Sequence, residues 1–244
     1  MRRVIVFLKF PEPGAVKTRL AAQIGVAAAA RLARHFAEQT LAAAASHGLP
    51  VTICFAPARR GPEFSSWLGS GYDYAPQQGA DLGQRMLHAF AGAFARGAER
   101  AVLVGTDAPD RPVEFLTEAL DRLDEHDVVL GPALDGGYHL IAMRRGSFAP
   151  EAFGSGVPGG IDWGTPRVLA QTLDALRRAG RTTYLLPPWR DIDDKAGLDD
   201  YLERHPEAAR LLSDDASSDA DGNGKINDAS DAATDGGAPC ATKD

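Results

Sequence analysis

Four charged segments in this chain stand just after short apolar runs, and their residue types suit phosphate and a hard cation. The first is Lys9-Phe10-Pro11-Glu12-Pro13-Gly14-Ala15-Val16-Lys17-Thr18-Arg19-Leu20. Two prolines and Gly14 force an irregular loop there, and a helix is predicted to begin near Lys17. Backbone N–H groups at a helix start, together with Lys9, Gly14, Lys17 and Arg19, suit a phosphate group. The G-x-x-x-x-G-K-[ST] spacing of a P-loop is absent. The second segment is Thr106-Asp107-Ala108-Pro109-Asp110. Asp107, just past a strand-like run, is the first choice of ligand for Mg²⁺ or Mn²⁺, which bind carboxylates together with nucleotide phosphates. Asp110 either points the same way or sits in the first turn of a following helix, where negative charge is favourable.

The third segment is Asp135-Gly136-Gly137-Tyr138-His139. Paired glycines let backbone approach a ligand, and Asp135 suits a sugar hydroxyl or an acceptor, although D-G-G is also an ordinary turn sequence. In the fourth, Trp189-Arg190-Asp191-Ile192-Asp193-Asp194, alternation places Asp191 and Asp193 on one side of an extended stretch and Ile192 on the other. Two such carboxylates repel unless a cation lies between them, making them a second half of a metal site with Asp107. Asp194 is better placed to cap the helix expected near Lys195. Two weaker segments open helices. Asp81 is either an N-cap or a ligand contact, and Arg85 either reaches a phosphate or is solvated. Trp163, in Ile161-Asp162-Trp163-Gly164-Thr165, either stacks on an acceptor or packs.

Elements must carry these loops. Arg3–Phe10, Val51–Phe55, Ala101–Gly105, Val128–Gly131 and Thr183–Leu186 read as strands, mostly rich in Val, Ile and Leu. Between them, Leu82, Met86, Phe90 and Phe94, and then Leu116, Leu120 and Leu123, recur at helical spacing. Another helix is predicted to start with Thr165 as N-cap and Pro166 at its first position, burying Val168, Leu169, Leu173 and Leu176. Such alternation implies an α/β domain: a mainly parallel sheet with helices on both faces, binding ligands beyond the carboxyl ends of its strands.

Composition sets the limits. The chain has 244 residues, 44% of them hydrophobic, enough for one sizeable core. From Ser213 onward there are eight acids and two lysines, leaving 25 acids and 24 bases in residues 1–212, so no nucleic-acid partner is expected. Residues 213–244 contain one large aliphatic, Ile226, and no aromatic, and are expected to be a disordered acidic tail. Within the tail, Asp219, Asp221 and Asn223 open with the spacing of an EF-hand calcium loop, but the twelfth position is Ser230 and no amphipathic helices flank it. The Ala-rich stretches are interrupted by charge, so no membrane span is expected, and the N-terminus lacks a secretory pattern. The reading is of a cytoplasmic protein, with Cys54 and Cys240 unpaired. The six histidines show no zinc spacing with Cys, and no Ser-His-Asp set is evident.

Six segments then resemble, in order, a known family. FLKFPEPGAVKTRLA (7–21), QGADLGQRM (78–86), VGTDAP (104–109), GPALDGGYHLI (131–141), IDWGTPRVL (161–169) and WRDIDD (189–194) are similar to the GT-A-like transferases called selenodomain-associated, within the nucleotide-diphospho-sugar transferase superfamily. More distantly the chain is similar to phospholactate guanylyltransferases and molybdenum-cofactor nucleotidyltransferases. Asp194-Lys195 departs from the Thr-Pro turn the family leads one to expect. The resemblance implies a single three-layer GT-A-like domain over 1–212 and a metal-dependent transferase using a nucleotide-activated donor. It implies catalytic roles for Asp107, Asp193 and Lys17, and Mg²⁺ or Mn²⁺ on Asp107, Asp191 and Asp193. Donor phosphates would meet Lys9, Gly14, Lys17, Arg19, Asp81 and Arg85, while Asp135, Gly136, Gly137, Tyr138 and Trp163 would face the sugar or a small-molecule acceptor. Glycosyl transfer from a nucleotide sugar is the favoured chemistry. Nucleotidyl transfer from a nucleoside triphosphate to a phosphorylated acceptor stands second, and a non-catalytic nucleotide-binding module third.

Overall fold

The computed structural model describes residues 1–154 and 160–213. The acidic tail, its calcium-loop spacing and Cys240 lie outside the described residues, apart from Ser213. Among the described residues seven strands form one sheet: β1 (Arg2–Lys9), β2 (Val51–Ala56), β3 (Asp73–Pro76), β4 (Arg100–Val104), β5 (Val128–Pro132), β6 (Tyr138–Arg144) and β7 (Thr183–Leu185). Their order is β3-β2-β1-β4-β6-β5-β7, and only β6 runs against the rest. The α/β architecture and mainly parallel sheet agree with the sequence reading.

Alternation along β1 feeds both faces of the sheet. Val4, Val6 and Leu8 join a core with α2 (Val26–Ala45), α3 (Gly61–Leu68) and α5 (Glu114–Arg122). Ile5 and Phe7 join the opposite core with α4 (Leu82–Ala95) and α6 (Val168–Arg178). A third cluster joins Leu20 of α1 (Thr18–Ile24) and Phe36 of α2 to Ile192 and to Leu198 and Tyr201 of α7 (Lys195–Arg204). That cluster brings the segment before α7 alongside the loop after β1.

Two strands and one helix start depart from the sequence expectation. β3 is a four-residue edge strand whose half-exposed residues form no apolar run. β6 was hidden behind its own turn: Asp135-Gly136-Gly137 reads as a loop, yet Tyr138 already pairs with Pro132 across a register shift. α6 begins at Val168 with Arg167 at its N-cap position, rather than at Thr165. The Thr165 hydroxyl donates to the Asp162 carbonyl at 2.8 Å and accepts from the Arg167 amide at 3.3 Å, so it holds the turn that leads into the helix. Pro166 packs so closely on Gly136 that a Cβ there would lie 2.2 Å from the Pro166 carbonyl oxygen. Gly136 also has a φ of +93°, a conformation that favours glycine.

Asp127 fastens the far edge of the sheet. It accepts from the Thr182 amide at 3.0 Å, the Thr182 hydroxyl at 3.1 Å and Arg144 at 3.0 Å. Burial of this side chain, 16% exposed, would by itself raise its pKa; the hydrogen bonds outweigh that and hold it at about 2. A carboxylate held below its unfolded value contributes stability above the unfolded pKa, and that contribution is lost as pH falls through the folded one. Asp127→Asn is therefore expected to cost roughly 1–2 kcal/mol at pH 7, with the gap to wild type closing between about pH 4 and pH 2. Chemical denaturation at pH 7 and pH 3 measures this, and an equal gap at both values would show that the charge is not what matters.

Candidate active site at the switch between β1 and β4

The chain leaves β1 for β2 on one side, while β4 lies on its other side. The crevice at their carboxyl ends is thus the switch point where open α/β sheets bind ligands. A cavity of about 520 Å³ lies there. The loop after β1, the Gly105–Ala108 loop after β4, the first half of β6 and the 191–193 segment all contribute to its wall.

Lys17 stands at the centre. It precedes α1 with φ +47°, a left-handed conformation costly for a residue with a Cβ, and its side chain is 5% exposed. The three ammonium protons have three acceptors: Asp107 at 2.5 Å, the Ile192 carbonyl at 2.7 Å and Asp193 at 3.2 Å. Burial alone would lower the Lys17 pKa, but the charges of Asp107 and Asp193 and their hydrogen bonds more than offset it, so the net shift is upward. Lys17 is a fixed cation. A backbone hydrogen bond from Ile192 to the Asp107 carbonyl, 2.8 Å, ties the two acidic loops together. Ile192 is buried between its acidic neighbours, as the alternation required.

Asp191 is the third acid. Its Oδ1 is buried without a hydrogen-bond partner, and its pKa is pushed up to about 7, by burial first and then by Asp107, Asp135 and Asp193. An orphaned carboxylate oxygen beside two other acids is the chemistry a hard cation satisfies, so these residues fit Mg²⁺ or Mn²⁺ in donor type and charge. Among the described residues no three such ligands enclose an ion unaided. An ion arriving with a nucleotide needs only one or two carboxylates, because phosphates complete its shell.

Of the residues singled out in the sequence, Lys9, Lys17, Arg19, Asp107, Tyr138, Asp191 and Asp193 line the cavity. The others do not reach its wall. Asp81 caps α4, accepting from the Gln84 amide at 2.8 Å, and Arg85 donates to the Gly79 carbonyl at 3.2 Å. From α4 it is the apolar Leu82 and Met86 that face the cavity. Gly14 is an exposed turn residue with φ +80°. Asp135 accepts from the Gly137 amide at 2.9 Å, and Gly136 makes room for Pro166. Trp163 packs against Gly83, where a Cβ would sit 2.7 Å from the indole. Asp110 turns away from the cavity to pair with Arg204 and to accept from the Trp189 indole at 3.1 Å.

Two buried polar residues at the site carry no role in the sequence reading. His139 lines the cavity, and Arg111 lies buried behind it; both are 6% exposed. Burial and then the Arg111 charge push His139 down to about 3. Burial likewise lowers Arg111 to about 10, against the opposing pull of Asp191. His139 was legible only to a reader who recognised β6 as a strand beginning at Tyr138. Arg111 follows the Asp-Pro-Asp loop and carries no spacing signal of its own.

Comparisons with known proteins agree with the fold. A protein from Desulfovibrio desulfuricans G20 assigned to the nucleotide-diphospho-sugar transferases is 38% identical, over 86% of this chain and 96% of that one, with a TM-score of 0.76. A nucleotidyl transferase of Methanothermobacter shares the fold at 17% identity, over 86% and 98% of the two chains, with a TM-score of 0.54. So does the 4-diphosphocytidyl-2C-methyl-D-erythritol synthase of Anaerococcus prevotii DSM 20548, at 9% identity over 84% and 99%, with a TM-score of 0.55. No curated protein matches. The model of the family described as uncharacterized protein conserved in bacteria (DUF2064) matches residues 39–165, so the chain belongs to that family, within the nucleotide-diphospho-sugar transferase superfamily of transferases.

Proposed function

We propose that the protein transfers a glycosyl group from a nucleotide-diphospho-sugar to a small-molecule acceptor, with Mg²⁺ or Mn²⁺ as cofactor. The observation that carries this reading is the meeting of Lys17, Asp107 and Asp193 at the carboxyl ends of β1 and β4. A binding module would need shape and a few polar contacts, whereas this site holds a buried ammonium between acids beside an unpartnered carboxylate. The 38% identical relative, assigned to the nucleotide-diphospho-sugar transferases, favours the sugar donor. Nucleotidyl transfer stands second, on the fold likeness to two such enzymes.

In this reading the donor phosphates lie along the loop after β1. Lys9 at the end of β1 and Arg19 in the first turn of α1 offer charge from exposed positions, and Lys17 offers it from a buried one. Asp107, Asp191 and Asp193 are the residues that would hold the cation. When bound, such an ion neutralises charge on a leaving diphosphate. Lys17 holds the acids in place and screens their mutual repulsion before substrate arrives. The apolar side of the cavity, with Leu82 and Met86, excludes water from the donor.

Three outcomes test the proposal. In thermal-shift measurements, a nucleotide sugar with Mn²⁺ or Mg²⁺ is expected to raise the melting temperature, and the same sugar with chelator is not. A metal-dependent rise with nucleoside triphosphates alone would select nucleotidyl transfer, and a rise indifferent to metal would select a binding module. Asp107→Asn keeps an acceptor for Lys17, so folding is expected to survive while turnover falls on the order of 10²-fold or more. Full activity in that variant would remove Asp107 from the mechanism.

Lys17→Met is expected to act in opposite directions on two ligands. With the ammonium gone, Mn²⁺ alone should bind about tenfold more tightly, while affinity for nucleoside diphosphate falls by a similar factor. Mn²⁺ electron paramagnetic resonance and calorimetry read the two effects, and unchanged Mn²⁺ binding would show that Lys17 does not occupy the cation's place.

A further inference from the structure

Arg111 is a buried cation with no role in the site as described so far. It lies in the turn that ends the β4 loop, where its amide donates to the Ala108 carbonyl at 3.3 Å. The residue is 6% exposed, it is not on the cavity wall, and its Nη1 is buried without a hydrogen-bond partner. A buried guanidinium with an unpaired donor is destabilising, which calls for a partner in some working state of the protein.

The groups around it leave one candidate. Asp110, its neighbour in the chain, is taken by Arg204 and the Trp189 indole. Asp107 and Asp193 are held by Lys17. His139 is kept neutral by burial and then by the Arg111 charge, so it offers no opposing charge. Asp191 is the acid whose charge acts on Arg111, and its Oδ1 is likewise buried and unpartnered.

Two links hold the loops of this pair side by side. The Ile192 amide donates to the Asp107 carbonyl at 2.8 Å, and the Trp189 indole donates to Asp110 at 3.1 Å. Asp191 lies between Trp189 and Ile192 in the chain, and Arg111 directly follows Asp110. Asp191 also lines the cavity, so its carboxylate has one side toward the cavity and one buried side. A carboxylate that binds a cation is itself commonly fixed by a hydrogen bond from a second residue. Asp191 has a place for both partners. Its Oδ1 and the Arg111 Nη1 are not bonded to each other here, and side-chain rotation within the linked loops is the movement that joins them.

We propose that Arg111 is a positioning residue for the cation site: when Mg²⁺ or Mn²⁺ is bound, it donates to Oδ1 of Asp191 and holds that carboxylate with its other oxygen toward the ion. The inference rests on the assignment of Asp107, Asp191 and Asp193 to the cation, and adds to it a residue that never touches the ion.

Mn²⁺ electron paramagnetic resonance on the full chain tests it, using wild type, Arg111→Met and Arg111→Lys, with melting temperatures measured free of metal. By charge alone, Arg111→Met would tighten Mn²⁺ binding, because it removes a positive charge near the ion. Loss of positioning is expected to weaken it about tenfold instead. The metal-free melting temperature of Arg111→Met is expected to match or exceed that of wild type, since an unpaired buried donor has been removed. Arg111→Lys keeps the charge and a donor, and its Mn²⁺ affinity is expected to stay within about threefold of wild type. Failure of Arg111→Met to fold would mark a structural residue and overturn the proposal. So would unchanged or tighter Mn²⁺ binding by that variant, or an equal loss in Arg111→Lys. Mn²⁺ bound alike by wild type and Arg111→Met sinks the positioning role alone, whereas a wild type that binds no Mn²⁺ sinks the cation reading and this inference together.

Discussion

A single ammonium group joins three parts of the chain that are far apart in sequence. Lys17 follows β1, Asp107 follows β4, and Ile192 with Asp193 precedes α7; the three protons of the lysine reach all of them. In water such an arrangement would be worth little, but the Lys17 side chain is almost wholly removed from solvent, where an unpaired charge is costly and a paired one is held firmly. The left-handed backbone at Lys17 is a consequence: the triple anchor over-determines a conformation that the residue would otherwise avoid. The same ammonium occupies the gap between two carboxylates that a divalent cation would seek, so substrate binding and the resting order of the site act on one group.

The sheet supplies the geometry in which that anchor forms. Parallel strands on either side of β1 open a crevice at their carboxyl ends, and the reversal of β6 brings the start of a strand, with its turn, to the same edge. The hairpin from β5 to β6 therefore delivers Tyr138 and His139 to the cavity. Its glycines are spent on packing: Gly131 admits the His139 ring and Gly136 admits Pro166. The result is a cavity whose acids gather around Lys17, with Tyr138 and His139 contributed by β6.

The aspartates show how alike residues come to differ. Asp81 and Asp194 each accept from an amide in the first turn of a helix, at 2.8 Å, and are accounted for by capping. Asp110 sits three residues from Asp107 but points to Arg204 and Trp189, fastening the β4 loop to α7. Asp107, Asp191 and Asp193 remain, and they share the cavity wall with Lys17. Helix ends and interlocking loops take the ordinary acids, and what is left over converges.

Local order was readable in the sequence because it depends on near neighbours. Buried runs such as Val4–Leu8 and Val102–Val104, the helical repeat from Leu82 to Phe94, and the alternation that buries Ile192 between Asp191 and Asp193 all follow from periodicity. The loops after β1 and β4 were recognisable as the place for chemistry because parallel sheets bind there. Side-chain direction and burial were not readable, because they depend on residues distant in the chain. Nothing near Asp110 announces that Arg204 will claim it, and nothing near Gly136 announces Pro166. Arg85 and Trp163 each admit a ligand contact or an ordinary role from sequence, and the fold turns one to a backbone carbonyl and the other onto Gly83. His139 and Arg111 became significant only once the folded chain had buried them with polar atoms unpaired. The sequence by itself determined which residues could do chemistry and on which edge of the sheet they would lie. The tertiary structure alone decided which of them meet, since pairing and desolvation are properties of contacts across the whole chain.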